Sequence, residues 1–312
     1  MFSILEKSIL ETLVYFNLFS KPLKKEEIFD ALSLIDGNIK KITENSKEFK
    51  IALENLISGN FIEKKQDLFF LKGRNILINE RKLRERISNR NWNKLEKIAR
   101  KINYVPFVEG VFISGSLSIN NSNYKSDIDL FVVTRPGRIF TVRFFLTMLL
   151  DILGKRRKPG KVAGKICLNH YISKDCLNMK FQSLYSAYIY FNLRPVIDRG
   201  GIFKEFREKN SWIGKYILFW DKKFKAPFCL EKKSKLAKFL EKILSGSFGD
   251  LLEKKTKEKQ IKRKKKNYPN GIVKGRVILN NNLIELHPNS EERNILENYK
   301  NELCLFFAGK YK

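Results

Sequence analysis

The sequence predicts an α+β protein with a mixed β-sheet, organised in three parts. Apolar residues recur at helical spacing near the N-terminus, whereas short apolar strands alternate with helices through the middle of the chain. The composition then becomes strongly basic after residue 232. We therefore expect an N-terminal domain over residues 1–78, a central α/β core with its following helices over 79–232, and a basic helical region over 233–312.

Composition permits substantial cores and favours an anionic partner. Of 312 residues, 43% are hydrophobic and 12% aromatic, which excludes a disordered chain. The formal net charge is +29, from 62 Lys and Arg against 33 Asp and Glu. That surplus suits nucleic acid, a nucleotide or anionic lipid. The alternative is a bias of genome base composition, since Lys, Asn, Ile and Phe are all abundant.

Two helices are predicted at the start of the chain. Apolar positions at helical spacing indicate the first over residues 4–17. Ser20 is the expected N-cap of the second, Pro22 falls near its first turn, and the helix is expected to run to about Leu32. A polar linker follows.

A third helix is predicted over residues 45–58, with Gly59-Asn60 ending it and "FIEKKQDLFFLKG" forming two strands around a Lys-Gln-Asp turn. Three helices followed by a hairpin resemble a winged-helix domain. The resemblance implies duplex DNA or RNA as a partner, with the third helix in the major groove. It equally fits a winged helix that only holds proteins together, because Lys47 and Lys50 are the only basic residues of that helix.

The remaining elements follow from the same patterns. We expect a charged, largely solvated helix over 80–101, strands over 104–113 and 164–173, apolar helices over 138–153 and 180–193, a basic helix around 253–267, a pair of strands over 271–288 and a last helix over 290–307.

Neither a membrane nor disulfides are expected. The apolar stretch 139–153 is shorter than a spanning helix needs and contains Arg143 and Asp151. The N-terminus lacks the pattern of a signal peptide. The four cysteines are scattered, and the spacing of Cys167, His170 and Cys176 fits no common zinc site. We therefore expect a cytoplasmic protein.

Two acids interrupt an apolar run in "SDIDLFVVT". Asp127 and Asp129 are separated by one residue, so in a strand both side chains point to the same face. Charged Asp is depleted in strands and unfavourable to bury without a partner. Two carboxylates at one point repel each other unless a cation lies between them, and Mg²⁺ (or Mn²⁺) prefers such oxygen ligands.

Gly115-Ser116 precedes these acids by ten residues and follows another apolar run. Gly115 lets the backbone approach a phosphate closely, Ser116 adds a hydroxyl, and a helix expected after it would direct N–H groups at the anion. Lys125, beside the acids, and the basic residues of 155–161 can hold phosphates or be solvated. The chain contains neither GxxxxGK[ST] nor GxGxxG.

A strand, Gly-Ser, ten residues and then Asp-x-Asp in a second strand resemble the signature of the nucleotidyltransferase superfamily. The resemblance implies that Asp127 and Asp129 hold Mg²⁺ ions, that Gly115, Ser116 and Lys125 contact an NTP such as ATP, and that an acceptor hydroxyl attacks the α-phosphorus. The segment from "RPVIDRGG" to "KNSWI" resembles the region after this domain in uncharacterised bacterial proteins, where it joins helices.

The third carboxylate of that family has no counterpart in the strand "KICLNHYIS". Asn169 is the expected replacement, since by alternation it shares a face with Cys167 and Tyr171 while His170 points away. An amide oxygen can bind a metal but cannot act as a general base. Two functions therefore stay open: an active nucleotidyltransferase with an unknown hydroxyl acceptor, or a degenerate one that serves as a DNA-binding regulator or antitoxin-like partner.

Overall fold

The computed structural model describes residues 2–34, 42–222, 224–267 and 275–308. The α-helices are α1 (Ile4–Asn17), α2 (Lys25–Asp30), α3 (Lys47–Ser58), α4 (Leu77–Ile102), α5 (Gly115–Ser118), α6 (Ile139–Ile152), α7 (Leu184–Phe191), α8 (Ile202–Lys209), α9 (Lys235–Ile243), α10 (Ser247–Asn267) and α11 (Glu292–Phe307). The strands are β1 (Leu23–Lys24), β2 (Ile62–Lys65), β3 (Leu68–Leu71), β4 (Val108–Ser114), β5 (Ile128–Thr134), β6 (Ile166–Ser173), β7 (Arg194–Asp198), β8 (Arg276–Leu279) and β9 (Leu283–His287).

The N-terminal part contains the three predicted helices and the predicted hairpin, together with a short extra strand. The three strands form a sheet in the order β1-β3-β2. The expectation for Ser20 was wrong, because Ser20 has a φ of 51° and the N-cap of α2 is Lys24. Leu23 and Lys24 pair with β3 in extended conformation, so the second helix begins later and ends at Asp30, before the predicted Leu32.

The central sheet is mixed, as predicted, and has six strands in the order β7-β4-β5-β6-β9-β8. Strands β5 and β6 are parallel, and the other neighbours are antiparallel. The segment "RPVID" was expected to join helices and is instead strand β7. Its Val196 and Ile197 are completely buried, which favours a strand against β4 over a connecting loop.

The basic C-terminal region is joined to the central sheet. The predicted strand pair is present as β8 and β9, and β9 pairs with β6; residues 271–274 of the predicted pair lie outside the described ranges. Helix α10 packs along α6. The Glu253 carboxylate accepts hydrogen bonds from the N–H groups of Phe140 (3.0 Å) and Thr141 (2.7 Å), which satisfies donors at the start of α6.

Helix α4 is less solvated than predicted. Its apolar residues lie three or four positions apart, so the 26-residue helix has a continuous buried face that includes Trp92, Leu95 and Ile98. Its charged residues dominate the composition but occupy mainly the opposite face. Composition alone therefore misjudged this element.

Each face of the central sheet carries its own core. Phe131 and Val133 of β5 pack with the N-terminal part and with α7 and α8, whereas Ile128, Leu130 and Val132 pack toward α4 and α6. This alternation directs the side chain of Asp129 toward the face that α7 covers. In the part of the chain that the structure describes, no helix combines the length and the apolar character needed to cross a bilayer.

Candidate functional site

Asp127 and Asp129 lie at the N-terminal end of β5, in the centre of the sheet. Together with Cys167 of β6 they offer ligand atoms that all lie within 4.8 Å of one another. Asp129 is opposite Ser114 in β4 and opposite Cys167 in β6. The strand geometry thus brings the two acids together as the sequence pattern predicts, and places the Cys167 thiol beside them.

Gly115 forms one wall of this site. Its φ is +65°, and a Cβ built at this position would lie 2.6 Å from the Asp129 Oδ2 atom. Only glycine combines that backbone conformation with that close approach. Ser116 follows, with its Oγ 3.4 Å from the Ser122 Oγ. The helix expected after Ser116 is the single turn α5, so this loop offers backbone N–H groups rather than a long helix dipole.

The two acids are electrostatically strained. Burial, reinforced by the nearby Asp127, raises the pKa of Asp129 from its ordinary value of 3.8 to about 7. Asn169 Nδ2 donates to Asp129 Oδ1 at 3.0 Å, and Arg157 Nη1 donates to Asp127 Oδ2 at 2.8 Å. Burial also raises the pKa of the Cys167 thiol well above its usual range, so the thiol stays protonated. Arg157 therefore offsets the charge of Asp127, while the raised pKa of Asp129 favours its protonated form more than in an ordinary carboxyl.

The strand β6 does not alternate regularly. Asp129 pairs with Cys167 but Phe131 pairs with His170, so β6 has an extra residue between these positions. Asn169 reaches Asp129 as predicted, whereas the expectation for His170 was wrong. The extra residue turns His170 onto the same face as the acids, where its ring centroid lies 4.4 Å from that of Phe131, and turns Tyr171 to the opposite core.

The acids open into a cavity of about 450 Å³. Its lining includes Asn169 and His170 of β6, Tyr185 and Tyr190 of α7, and a group from the C-terminal hairpin that the sequence analysis missed: Arg276, Glu285 and His287. The two histidines of the chain both line it, with ring centroids 6.1 Å apart. Burial lowers the pKa of His287 to about 4 and that of His170 well below its ordinary value, so both rings are neutral near pH 7.

Of the basic residues that were expected to hold phosphates, Lys125 lies away from the site and Arg157 lies within it. Lys125 is exposed in the turn before β5 and does not line the acid cavity; its backbone N–H donates to Asn123 Oδ1 at 2.8 Å. From the basic segment 155–161, Arg157 reaches the site, where it also contacts Cys167 Sγ at 3.4 Å. Cys176 lines a separate cavity, which argues against a zinc site shared with Cys167.

The donor atoms fit a hard divalent cation. Asp127 and Asp129 supply carboxylate oxygens, which suit Mg²⁺ or Mn²⁺, whereas Asn169 presents its Nδ2 donor to Asp129 and would have to flip its amide to offer an oxygen. A cation between the carboxylates would relieve the repulsion that holds a proton on the pair.

Comparisons of the chain with protein-family models, with curated proteins and with solved structures found no match. Only the geometry of this site therefore indicates a function.

Proposed function

We propose that the chain is a metal-dependent nucleotidyltransferase, which moves a nucleoside monophosphate from an NTP to a hydroxyl acceptor. The observation that carries this proposal is the meeting of Asp127 and Asp129 against Gly115, where a Cβ would collide with a carboxylate oxygen. Two like charges next to exposed backbone suit a bound cation and a phosphate better than they suit a structural role.

Each residue then has a definite task. Asp127 and Asp129 would hold Mg²⁺, and the ion would supply positive charge at the reacting phosphate. Gly115 and Ser116 admit the triphosphate close to the backbone. Arg157, whose side chain is 47% exposed, can turn from Asp127 to a phosphate oxygen. The acceptor oxygen forms a bond to the α-phosphorus, the bond from the α-phosphorus to the bridging oxygen of the β-phosphate breaks, the hydroxyl proton passes to solvent water, and pyrophosphate leaves.

The N-terminal part is better suited to packing against the central core, which carries the proposed nucleotide site, than to binding duplex DNA. Its element order is that of a winged-helix-like domain. The exposed side of α3, however, carries Lys47 and Lys50 against Glu48 and Glu54, which gives no net positive charge. The part is also packed firmly on the central core, with the rings of Tyr15 and Tyr188 stacked at 4.0 Å.

Transfer itself is the test of the proposed function. The wild-type protein is incubated with cell extract, Mg²⁺ and each NTP in turn, radiolabelled at the α-phosphate. This incubation should yield a labelled acceptor. The double variant Asp127→Asn/Asp129→Asn should yield none, whereas the exposed control Asp67→Asn should behave as wild type. Equal labelling by wild type and double variant, or none by wild type with Mg²⁺ or Mn²⁺, would reject the proposal.

A further inference from the structure

Two buried polar atoms of residues that line the acid cavity have no hydrogen-bond partner within the described part of the chain. They are Nε2 of His170 and Oε2 of Glu285. The residues are directly opposite each other in the pairing of β6 with β9, and only 7% and 2% of their surfaces are exposed. Both line the cavity. Unpaired buried polar groups are unfavourable, so two on adjacent residues require an explanation.

Both side chains are held firmly by their other contacts. Arg276 Nε donates to Glu285 Oε1 at 2.7 Å, and Arg276 Nη1 donates to Glu292 Oε2 at 2.7 Å. The ring of His170 packs against Phe131. The Glu285 carboxylate is thus held by Arg276 and the His170 ring is packed on Phe131, while Oε2 of Glu285 and Nε2 of His170 are left for another molecule.

We propose that His170 and Glu285 form an acceptor subsite that binds a hydroxyl or amino group of a neutral or cationic acceptor. A carboxylate oxygen only accepts hydrogen bonds, so the bound group must donate to Glu285. The proposal depends on the proposed function for the identity of the acceptor, but the subsite itself is defined by these two atoms.

The charge of this wall disfavours a polyanionic acceptor. Glu285 and Glu291 line this wall with Arg276, whose charge is further offset by its ion pair with Glu292, so the wall is net negative in a chain whose overall charge is +29. Like charges brought together in a partly buried site are unfavourable. An acceptor such as the end of a nucleic acid would bring phosphates against these carboxylates, whereas an amine would complement them.

The nucleobase has a more suitable surface elsewhere. A second cavity of about 230 Å³ shares Gly115, Tyr185 and Ile189 with the acid cavity. Its lining includes the partly exposed side chains of Phe19, Ile119 and Ile189, which suit a planar apolar base, whereas the buried rings of Tyr15 and Tyr188 stack on each other. With the triphosphate at Gly115, which lines both cavities, the base and the acceptor would occupy different cavities.

A thermal-shift series tests the subsite. The probes are ethanolamine and glycerol, each compared with its phosphate ester, with and without Mg²⁺ and a non-hydrolysable ATP analogue. We expect ethanolamine and glycerol to raise the melting temperature at concentrations about tenfold lower than their esters. Glu285→Gln should lose that preference and keep the Mg²⁺-nucleotide shift. Glu297→Gln, an exposed carboxylate on α11 outside the acid cavity, is the matched control.

A second variant separates a binding role from a structural one. His170→Phe removes the unpaired nitrogen and keeps an aromatic ring beside Phe131, so the ligand-free protein should melt about 2 °C higher while the response to ethanolamine is lost. If His170 served only packing or stability, His170→Phe would lower the melting temperature and leave the response to ethanolamine unchanged.

The outcomes separate the two proposals. Equal shifts with a probe and its ester, no shift with any probe, or an unchanged response in Glu285→Gln would overturn the acceptor subsite. A different result would be that Glu285→Gln weakens binding of the ATP analogue but not of its inosine counterpart, which lacks the exocyclic amine. In that case His170 and Glu285 bind the nucleobase, and their assignment to the acceptor is wrong. A failure of the proposed function would appear separately, as wild-type protein without any Mg²⁺-nucleotide shift.

Discussion

Replacing Asp129 by asparagine should stabilise the ligand-free protein at alkaline pH. Because burial and Asp127 raise the pKa of Asp129 from 3.8 to about 7, ionising it in the folded state is unfavourable. A difference of roughly three pKa units corresponds to about 4 kcal/mol, which is an upper limit for the gain in the free energy of unfolding. Asparagine keeps one oxygen for the hydrogen bond from Asn169.

The sign of the pH dependence follows from the direction of the shift. A carboxyl whose folded pKa is raised contributes full stability below about pH 4 and loses it as the pH rises through about 7. His170 and His287 act in the opposite direction, because their lowered pKa values remove stability as the pH falls below their unfolded value. The difference between wild type and Asp129→Asn therefore isolates the aspartate.

Chemical unfolding at several pH values between 4 and 8 measures this difference. We expect the two proteins to be equally stable near pH 4 and the variant to be more stable at pH 8 by up to about 4 kcal/mol. Asp67→Asn, in the exposed hairpin turn, should follow wild type throughout. A variant that is less stable at pH 8, or a difference that does not change with pH, would refute the electrostatic account of the pair.

Three further changes test the walls of the site and the attachment of α10. Gly115→Ala should cost about 2 kcal/mol more than Gly137→Ala and abolish the nucleotide shift, because both have positive φ but only Gly115 faces a carboxylate. Arg157→Gln should change stability by less than about 1 kcal/mol, since its ion pair with Asp127 is partly exposed, yet weaken Mg²⁺-ATP binding about tenfold in calorimetry. Glu253→Gln should cost about 1 kcal/mol in chemical unfolding by weakening the cap of α6, and equal stability would contradict that role.

The acid pair was predictable because it depends on local rules. Alternation in a strand places residues two apart on one face, and glycine marks the close approach at Gly115. Neither rule requires knowledge of distant parts of the chain. Most of the predicted helices and strands are present for the same reason, since they have an apolar pattern of their own; the basic helix α10 is an exception.

The rest of the site depends on pairing between distant segments. The extra residue in β6 that turns His170 to the acids leaves no mark in the sequence "ICLNHYIS", which reads as a regular strand. Glu285 and His287 reach the cavity because β9 pairs with β6, more than a hundred residues earlier. The sequence did contain a signal for Glu285, which is an acid inside an apolar strand, as Asp129 is. The same reasoning would have identified it as a candidate site residue.

The most direct measurement of the central claim is anomalous diffraction from a crystal containing Mn²⁺ and a non-hydrolysable ATP analogue. The account predicts a manganese peak bridging carboxylate oxygens of Asp127 and Asp129, with the triphosphate against Gly115 and Arg157 turned toward a phosphate. A manganese peak elsewhere, or a nucleotide bound while Arg157 still pairs with Asp127 and no metal lies between the acids, would contradict it.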